Sequence, residues 1–124
     1  MLLLSRLFTS LRNGQKARHP VVPVPYARLS WAVLTALLHH GYLAGLQREG
    51  RRILVVLKYA GDRPAIRRLT QVSTSGHRVY RGAAALPAPA HGLGLVLVST
   101  PKGILSSAQA QEAGVGGEVL CTLF

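Results

Sequence analysis

Hydrophobic positions along this 124-residue chain first follow a helical period and then a shorter, strand-like one. Leu3, Leu4, Leu7, Phe8 and Leu11 recur at intervals of three and four, which places them on one helical face, and Asn13-Gly14 offers that helix a stop. Val21-Val-Pro-Val-Pro25 cannot continue a helix, because proline lacks the amide donor, and it reads as an extended edge segment. Ala27 to His40 is a second helix, with Leu29, Ala32, Val33, Ala36 and Leu37 in a continuous apolar stripe and Gly41 closing it. Beyond Tyr42 the runs shorten. Tyr42 to Leu46, Ile53 to Tyr59 and Ile66 to Val72 are β-compatible, are separated by Gly50-Arg-Arg52 and Gly61-Asp-Arg-Pro64, and predict a three-strand meander.

Ser73-Thr-Ser-Gly76 makes a turn into a second region richer in small residues. There Val79-Tyr80, Leu93 to Ser99 and Val119 to Phe124 are expected strands. A short helix, Ser107 to Ala113, is expected between the last two, capped by Ser106 or Ser107 and ended by Gly114. Ala83 to Ala90 is low in complexity and reads as a surface connection or a single turn. The predicted class is α+β, with a two-helix, three-strand α/β layer over residues 1–72 and a mainly β half with one short helix over 73–124.

Charge narrows the function. Fifteen Lys and Arg oppose four acids, for a net charge of +11, and a compact chain so charged calls for an anionic partner, nucleic acid above all. The acids are Glu49, Asp62, Glu112 and Glu118, so the first 48 residues carry no carboxylate, while Arg6, Arg12, Lys16, Arg18, Arg28 and Arg48 lie among them. A basic, hydroxylated start such as Met1-Leu-Leu-Leu-Ser-Arg-Leu-Phe-Thr-Ser10 suits mitochondrial import superimposed on a structural helix. Leu2 to Leu4 is too short an apolar run for a secretory signal. The single Cys121 excludes an intrachain disulfide and a cysteine-built zinc site, and favours a reducing compartment. Leu29 to Leu46 bears no formal charge, but a helix ending at Gly41 has about 14 residues and spans about 21 Å, short of a ~30 Å hydrocarbon core. No membrane partner is therefore expected.

Catalytic chemistry finds little support. The four carboxylates occupy separate stretches, so no acid and base are paired by position. His39-His40 are adjacent, point in different directions, and suit a helix C-terminus better than a metal. Cys121 on an apolar strand reads as a small core residue. Ala113-Gly-Val-Gly-Gly-Glu118 contains neither G-x-x-x-x-G-K-[ST] nor a G-x-G-x-x-G opening a helix, so no nucleotide cofactor is expected, and neither a metal nor a small-molecule substrate. Its glycines permit a sharp reversal and a close approach of backbones. Ser99-Thr-Pro-Lys-Gly103 places two hydroxyls, a cation and a glycine directly after a strand. Two readings stand level there: contacts to ribose and phosphate, or a plain β-to-α connection. Arg51-Arg52, Arg67-Arg68 and His77-Arg-Val-Tyr-Arg81 add cations and a tyrosine able to stack.

The segments together resemble the small-subunit ribosomal protein S-eight family from nearly end to end. Thr9-Ser-Leu-Arg-Asn-Gly14 is similar to that family's Thr-Arg-Ile-Arg-Asn-Gly/Ala, and Pro25-Tyr-Ala-Arg-Leu29 to its Pro-Ser-Ser-Lys-Leu. Val72-Ser-Thr-Ser-Gly-His-Arg-Val-Tyr80 is similar to Val-Ser-Arg-Pro-Gly-x-Arg-Val/Ile-Tyr. Gly92-Leu-Gly94, Ser99 to Gly103 and Ala113 to Glu118 follow the family's GLG, STSKG and AGLGGE in order and spacing. The resemblance implies a non-enzymatic constituent of the small ribosomal subunit that binds the central domain of its RNA, supports assembly, and touches neighbouring ribosomal proteins. It implies RNA contacts chiefly in the C-terminal half, at Ser99, Thr100, Lys102 and Gly103, with Gly116, Gly117 and Glu118 shaping the adjacent surface and Arg78 and Tyr80 nearby. Thr9, Arg12, Asn13 and Arg28 are the N-terminal candidates. Arg6 stands where the family often has Asp, Ser10 replaces Arg, Pro101 replaces the loop's second Ser, and Ser106-Ser-Ala108 replaces Thr-Asp-Arg. The lost acids and the acid-free start fit an organellar form, in the mitochondrial matrix, with a plastid as the alternative. The competing class is an interaction module held in the ribosome mainly by neighbouring proteins.

Overall fold

The computed structural model describes residues 2–88 and 94–124 and shows an α+β fold of two compact units, Leu3–Arg67 and Arg68–Phe124. Three expectations fall partly outside these residues: the start of a strand at Leu93, the Gly92-Leu93 part of the GLG segment, and the end of the run reaching Ala90.

In the first unit, α1 (Leu2–Lys16) is followed by β1 (Val21–Pro25), α2 (Arg28–His39), β2 (Leu43–Glu49) and β3 (Arg52–Leu57). A small hairpin of β4 (Tyr59–Ala60) and β5 (Arg63–Pro64) completes it. The sheet is antiparallel in the order β1-β3-β2, and the prolines of β1 are tolerated because that strand lies at an edge. The expected three-strand sheet thus exists with one different member. β1 takes the place assigned to Ile66 to Val72; from that run Leu69–Gln71 forms β6, which pairs with Leu123, Thr122 and Cys121 in the other unit. The β4–β5 hairpin turns the chain away first, and strand propensity specifies no partner. The units accordingly meet at Arg67 and Arg68, so a division at residue 72 falls inside the second unit.

Leu4, Leu7, Phe8 and Leu11 of α1 are 0–3% exposed. Burying four such side chains contributes at most roughly 6–12 kcal/mol. Net domain stabilities are about 5–15 kcal/mol, so α1 is integral to the unit. The helix does not stop at Gly14 but continues to Lys16. A Cβ at Gly14 would lie 2.5 Å from Val22 Cγ2 and 3.0 Å from Leu57 Cδ1, so glycine is needed there for helix-to-sheet contact. The chain leaves the helix at Arg18, with φ 59°, in a Schellman arrangement: the Arg18 amide donates to the Gln15 carbonyl and the His19 amide to that of Gly14. This conformation costs a non-glycine residue about 1–2 kcal/mol. Arg18 also donates to the Asp62 carbonyl, while Tyr59 Oη donates to the His19 carbonyl at 2.7 Å and the Ile66 amide to buried Gln15 Oε1 at 3.1 Å. These bonds hold the β4–β5 region against the end of α1. Gly41 closes α2 as expected, with φ 84°.

The second unit contains β6, β7 (Tyr80–Arg81), a 3-10 turn at Ala83–Ala85, β8 (Leu95–Thr100), β9 (Gly103–Ser106), α3 (Ser107–Glu112) and β10 (Gly117–Leu123). Its antiparallel order is β6-β10-β8-β9, with β7 pairing at the start of β10. Leu86, Val96, Val98, Ala110 and Val119 form a core, with Val72, Val79, Leu105 and Val115 packed around it. α3 begins and ends where its caps predict. Ser106 Oγ accepts from the Gln109 amide while Gln109 Oε1 accepts from the Ser106 amide, and Gly114 closes the helix at φ 68°. Of the two readings of Ser99 to Gly103, the plain β-to-α connection does not hold: the segment is a tight hairpin leading into β9, since Thr100 pairs with Gly103. Among the described residues no helix is long and apolar enough to cross a membrane.

Candidate nucleic-acid interface

The start of β10 gathers most of the expected site. Gly116 and Gly117 lie so close to neighbouring backbone that neither position has room for a side chain. A Cβ at Gly117 would sit 2.0 Å from the Ser99 carbonyl oxygen, and one at Gly116 would sit 2.3 Å from that of Arg81. The glycines therefore bring the ends of β7 and β8 onto β10. Glu118, the next residue, pairs with Tyr80 on one side and Ser99 on the other. What the structure displays for Gly116 and Gly117 is a spacing role, consistent with shaping the surface.

Each neighbouring side chain has a definite position. Tyr80 is 60% exposed, an unusual exposure for a large aromatic side chain. The Glu118 side chain is only 12% exposed; its Oε2 is 4.0 Å from Arg78 Nη1, too far for a hydrogen bond, and has no hydrogen-bond partner among the described residues. In the β8–β9 turn, Thr100 Oγ1 donates to the Gly103 carbonyl at 2.8 Å and accepts from the Lys102 amide at 3.1 Å. The Thr100 hydroxyl is thus committed to the turn itself, whose shape also needs Gly103 at φ 111°. Ser99 is half-buried, its hydroxyl makes no hydrogen bond among the described residues, and Lys102 is exposed.

Ser73 is the functional residue that composition did not reveal. It is fully buried, its Oγ donates to the Val119 carbonyl at 2.7 Å, and it accepts from the Val79 amide at 2.9 Å. One hydroxyl so ties the 74–78 turn to β10 and sets the approach of Arg78 and Tyr80. Its sequence signal was weak, because a serine in a Ser-Thr-Ser-Gly turn reads as an ordinary surface residue.

The remaining candidates belong to the first unit. Thr9 Oγ1 donates to the Ser5 carbonyl at 2.8 Å and lies 3.5 Å from Arg12 Nη2; Asn13 is exposed in α1, and Arg28 is exposed at the first residue of α2. A cleft in this unit is lined by Leu3, Leu7, Val24 and Pro25 with Arg6 as its only charged residue, which offers no acid and base pair. Among the described residues no three His, Cys, Asp or Glu cluster as metal ligands. His39 and His40 meet edge to face at the end of α2, 5.4 Å between ring centroids. Cys121 is buried, and desolvation pushes its thiol up to about 12, the protonated and unreactive form at neutral pH.

Replacing Ser73 by Ala leaves a buried carbonyl and a buried amide without their partner. We expect Ser73→Ala to lose about 2–3 kcal/mol of unfolding free energy by urea titration. Amide exchange should accelerate at Val79 and Tyr80; wild-type stability and exchange would contradict the clamp role.

Comparison with known proteins covers nearly the whole length. A family model described as Ribosomal protein S8 matches residues 3–124. Small ribosomal subunit protein uS8 of Rhodospirillum centenum is 41% identical over 126 residues, covering 98% of this chain and 96% of that protein. The proteins of the same name from Sphingopyxis alaskensis and Rhizorhabdus wittichii are 42% and 43% identical, over 128 and 125 residues, covering 98% of this chain in each case and 96% and 95% of those proteins. With so much of both chains aligned, this chain belongs to the ribosomal protein S8 family.

Proposed function

We propose that the chain is a structural, non-catalytic constituent of the small ribosomal subunit that binds small-subunit ribosomal RNA and stands among neighbouring ribosomal proteins. The observation that carries the reading is the constellation at the start of β10. An exposed Tyr80 ring, an uncommitted Ser99 hydroxyl, the Lys102 ammonium and an under-bonded Glu118 carboxylate surround one backbone crossing on a chain of net charge +11. Each group has a use on RNA. Tyr80 offers a face to a base, Lys102 neutralises a phosphate, Ser99 both donates and accepts, and Glu118 accepts only, from a 2′-hydroxyl or a base amino group.

Within this site Ser99, Lys102, Tyr80 and Glu118 make contacts; Thr100, Gly103, Gly116 and Gly117 hold the shape, and Arg78 lies beside Glu118. The C-terminal unit is the principal RNA-binding part. Thr9, Arg12, Asn13 and Arg28 add cationic and polar contacts from the other unit. Affinity then comes mainly from charge and placement from the hydroxyls.

The finer assignment is to the mitochondrial matrix, inside that organelle's ribosome. It rests on the absence of carboxylates over residues 1–48 and on α1, which exposes Leu3, Arg6, Arg12 and Lys16 while burying Leu4, Leu7 and Leu11.

Binding of the purified chain to a central-domain fragment of small-subunit RNA should weaken steeply and log-linearly with salt. Ser99→Ala should lower affinity about tenfold at an unchanged slope, whereas Lys102→Gln should reduce the slope by about one. A flat salt response, or Ser99→Ala binding as wild type, would remove the electrostatic or the placement component respectively. Incubated with isolated mitochondria, the full chain should become protected from added protease; uptake by isolated chloroplasts instead would contradict the mitochondrial assignment.

A further inference from the structure

A second cationic surface surrounds Tyr26, away in sequence from the β8–β9 turn. The Arg48 guanidinium lies over the Tyr26 ring, with Cζ 3.6 Å from the ring centroid, and Arg48 Nε donates to the Gly50 carbonyl at 3.2 Å. Trp31 stands beside the same ring at 6.3 Å between centroids, tilted by 45°. The Tyr26 amide donates to the Arg51 carbonyl at 2.7 Å, which fixes the ring against the β2–β3 turn, and Arg28 follows two residues later at the start of α2. Arg28, Arg48 and Arg51 are all exposed, and none has a carboxylate partner among the described residues. The nearby acid, Glu49, is taken by Arg52 at 2.9 Å.

An arginine near a strand end ordinarily samples many rotamers, and binding must freeze them. Arg48 is already held, by stacking on one face and by its Nε, so the edge bearing its two Nη groups is left to meet a ligand. A planar pair of NH₂ groups fits two non-bridging oxygens of one phosphate, and the prior immobilisation lowers the entropic cost of binding. We propose that Arg48, ordered by Tyr26 and flanked by Arg28 and Arg51, is a second RNA site that grips the phosphodiester backbone independently of the Ser99–Gly103 turn. The proposal rests on the ribosomal RNA reading above. Arg48 on the Tyr26 ring, with two more exposed arginines whose backbone lies beside it, suits a continuous polyanion better than an isolated acidic side chain of a protein, which would neutralise only one of them.

The test compares full-length wild type, Arg48→Gln, Arg48→Lys and Tyr26→Leu on the same central-domain RNA fragment, with thermal melts to confirm that each variant is folded. Arg48→Gln should bind about five- to tenfold more weakly at about 100 mM salt, with the salt slope reduced by about one. Arg48→Lys should keep the slope but recover only part of the affinity, because charge survives while the stacked fork is lost. Tyr26→Leu should behave likewise, retaining charge without order. Combining Arg48→Gln with Ser99→Ala should multiply the two losses, as independent sites require. If wild type binds the RNA and Arg48→Gln matches it in affinity and slope, the second site is overturned while the first reading stands. If instead Arg48→Gln loses binding to a glutamate-rich peptide and leaves RNA binding intact, the surface serves a protein. Failure of wild type to bind the RNA at all would remove both readings.

Discussion

Two glycines at the start of one strand govern the organisation of the C-terminal unit. β10 pairs with β6, β7 and β8, and at Gly116 and Gly117 it approaches the backbones of Arg81 and Ser99 more closely than any side chain allows. Remove that approach and Tyr80, Ser99 and the Pro101-Lys102 turn lose their common reference point. Glu118 marks the same crossing from within, a carboxylate flanked by Tyr80 and Ser99 with one oxygen unsatisfied. Ser73 secures the remaining side by bonding to both Val79 and Val119. These contacts fix the positions of Tyr80, Ser99 and Glu118 relative to one another.

Charge and placement are divided between different residues. Arginines are spread through both units, so they supply long-range attraction that salt will screen. The hydroxyls and the carboxylate are few and local, carried on strands whose pairing sets their positions. Thr100 illustrates the division: its side chain looks like a contact in the sequence, yet its hydrogen bonds run within its own turn. A protein made this way needs no reactive group, and its one thiol is buried and held protonated.

Much of this was legible in the sequence where the signal is local. The buried face of α1, the span of α2, the edge position of the proline-bearing β1 and the caps of α3 follow from periodicity, missing donors and side-chain capping, and all lie within a few residues of their expected bounds. Non-local choices were less accessible. Leu69–Gln71 has strand character, but nothing in it names Leu123, Thr122 and Cys121 as partners. Gly14 resembles a helix stop because glycine commonly is one; its actual role depends on Val22 and Leu57, which the helix meets only after folding. The four-residue β9 was hidden because Gly103 reads as the end of a strand, whereas its φ of 111° lets the chain reverse into another. Ser73 and the stacking of Arg48 on Tyr26 likewise depend on distances that no spacing encodes.

The most direct measurement of the central claim is the RNA affinity of Gly117→Ala, read together with amide exchange at Ser99 and Glu118. A single methyl there meets the Ser99 carbonyl, so the β8–β10 crossing should open, exchange at both amides should accelerate, and RNA binding should fall by far more than any single contact supplies, while Leu3–Arg67 stays folded. Wild-type affinity with unaltered exchange would show that the close glycine packing is not what assembles the RNA-binding surface.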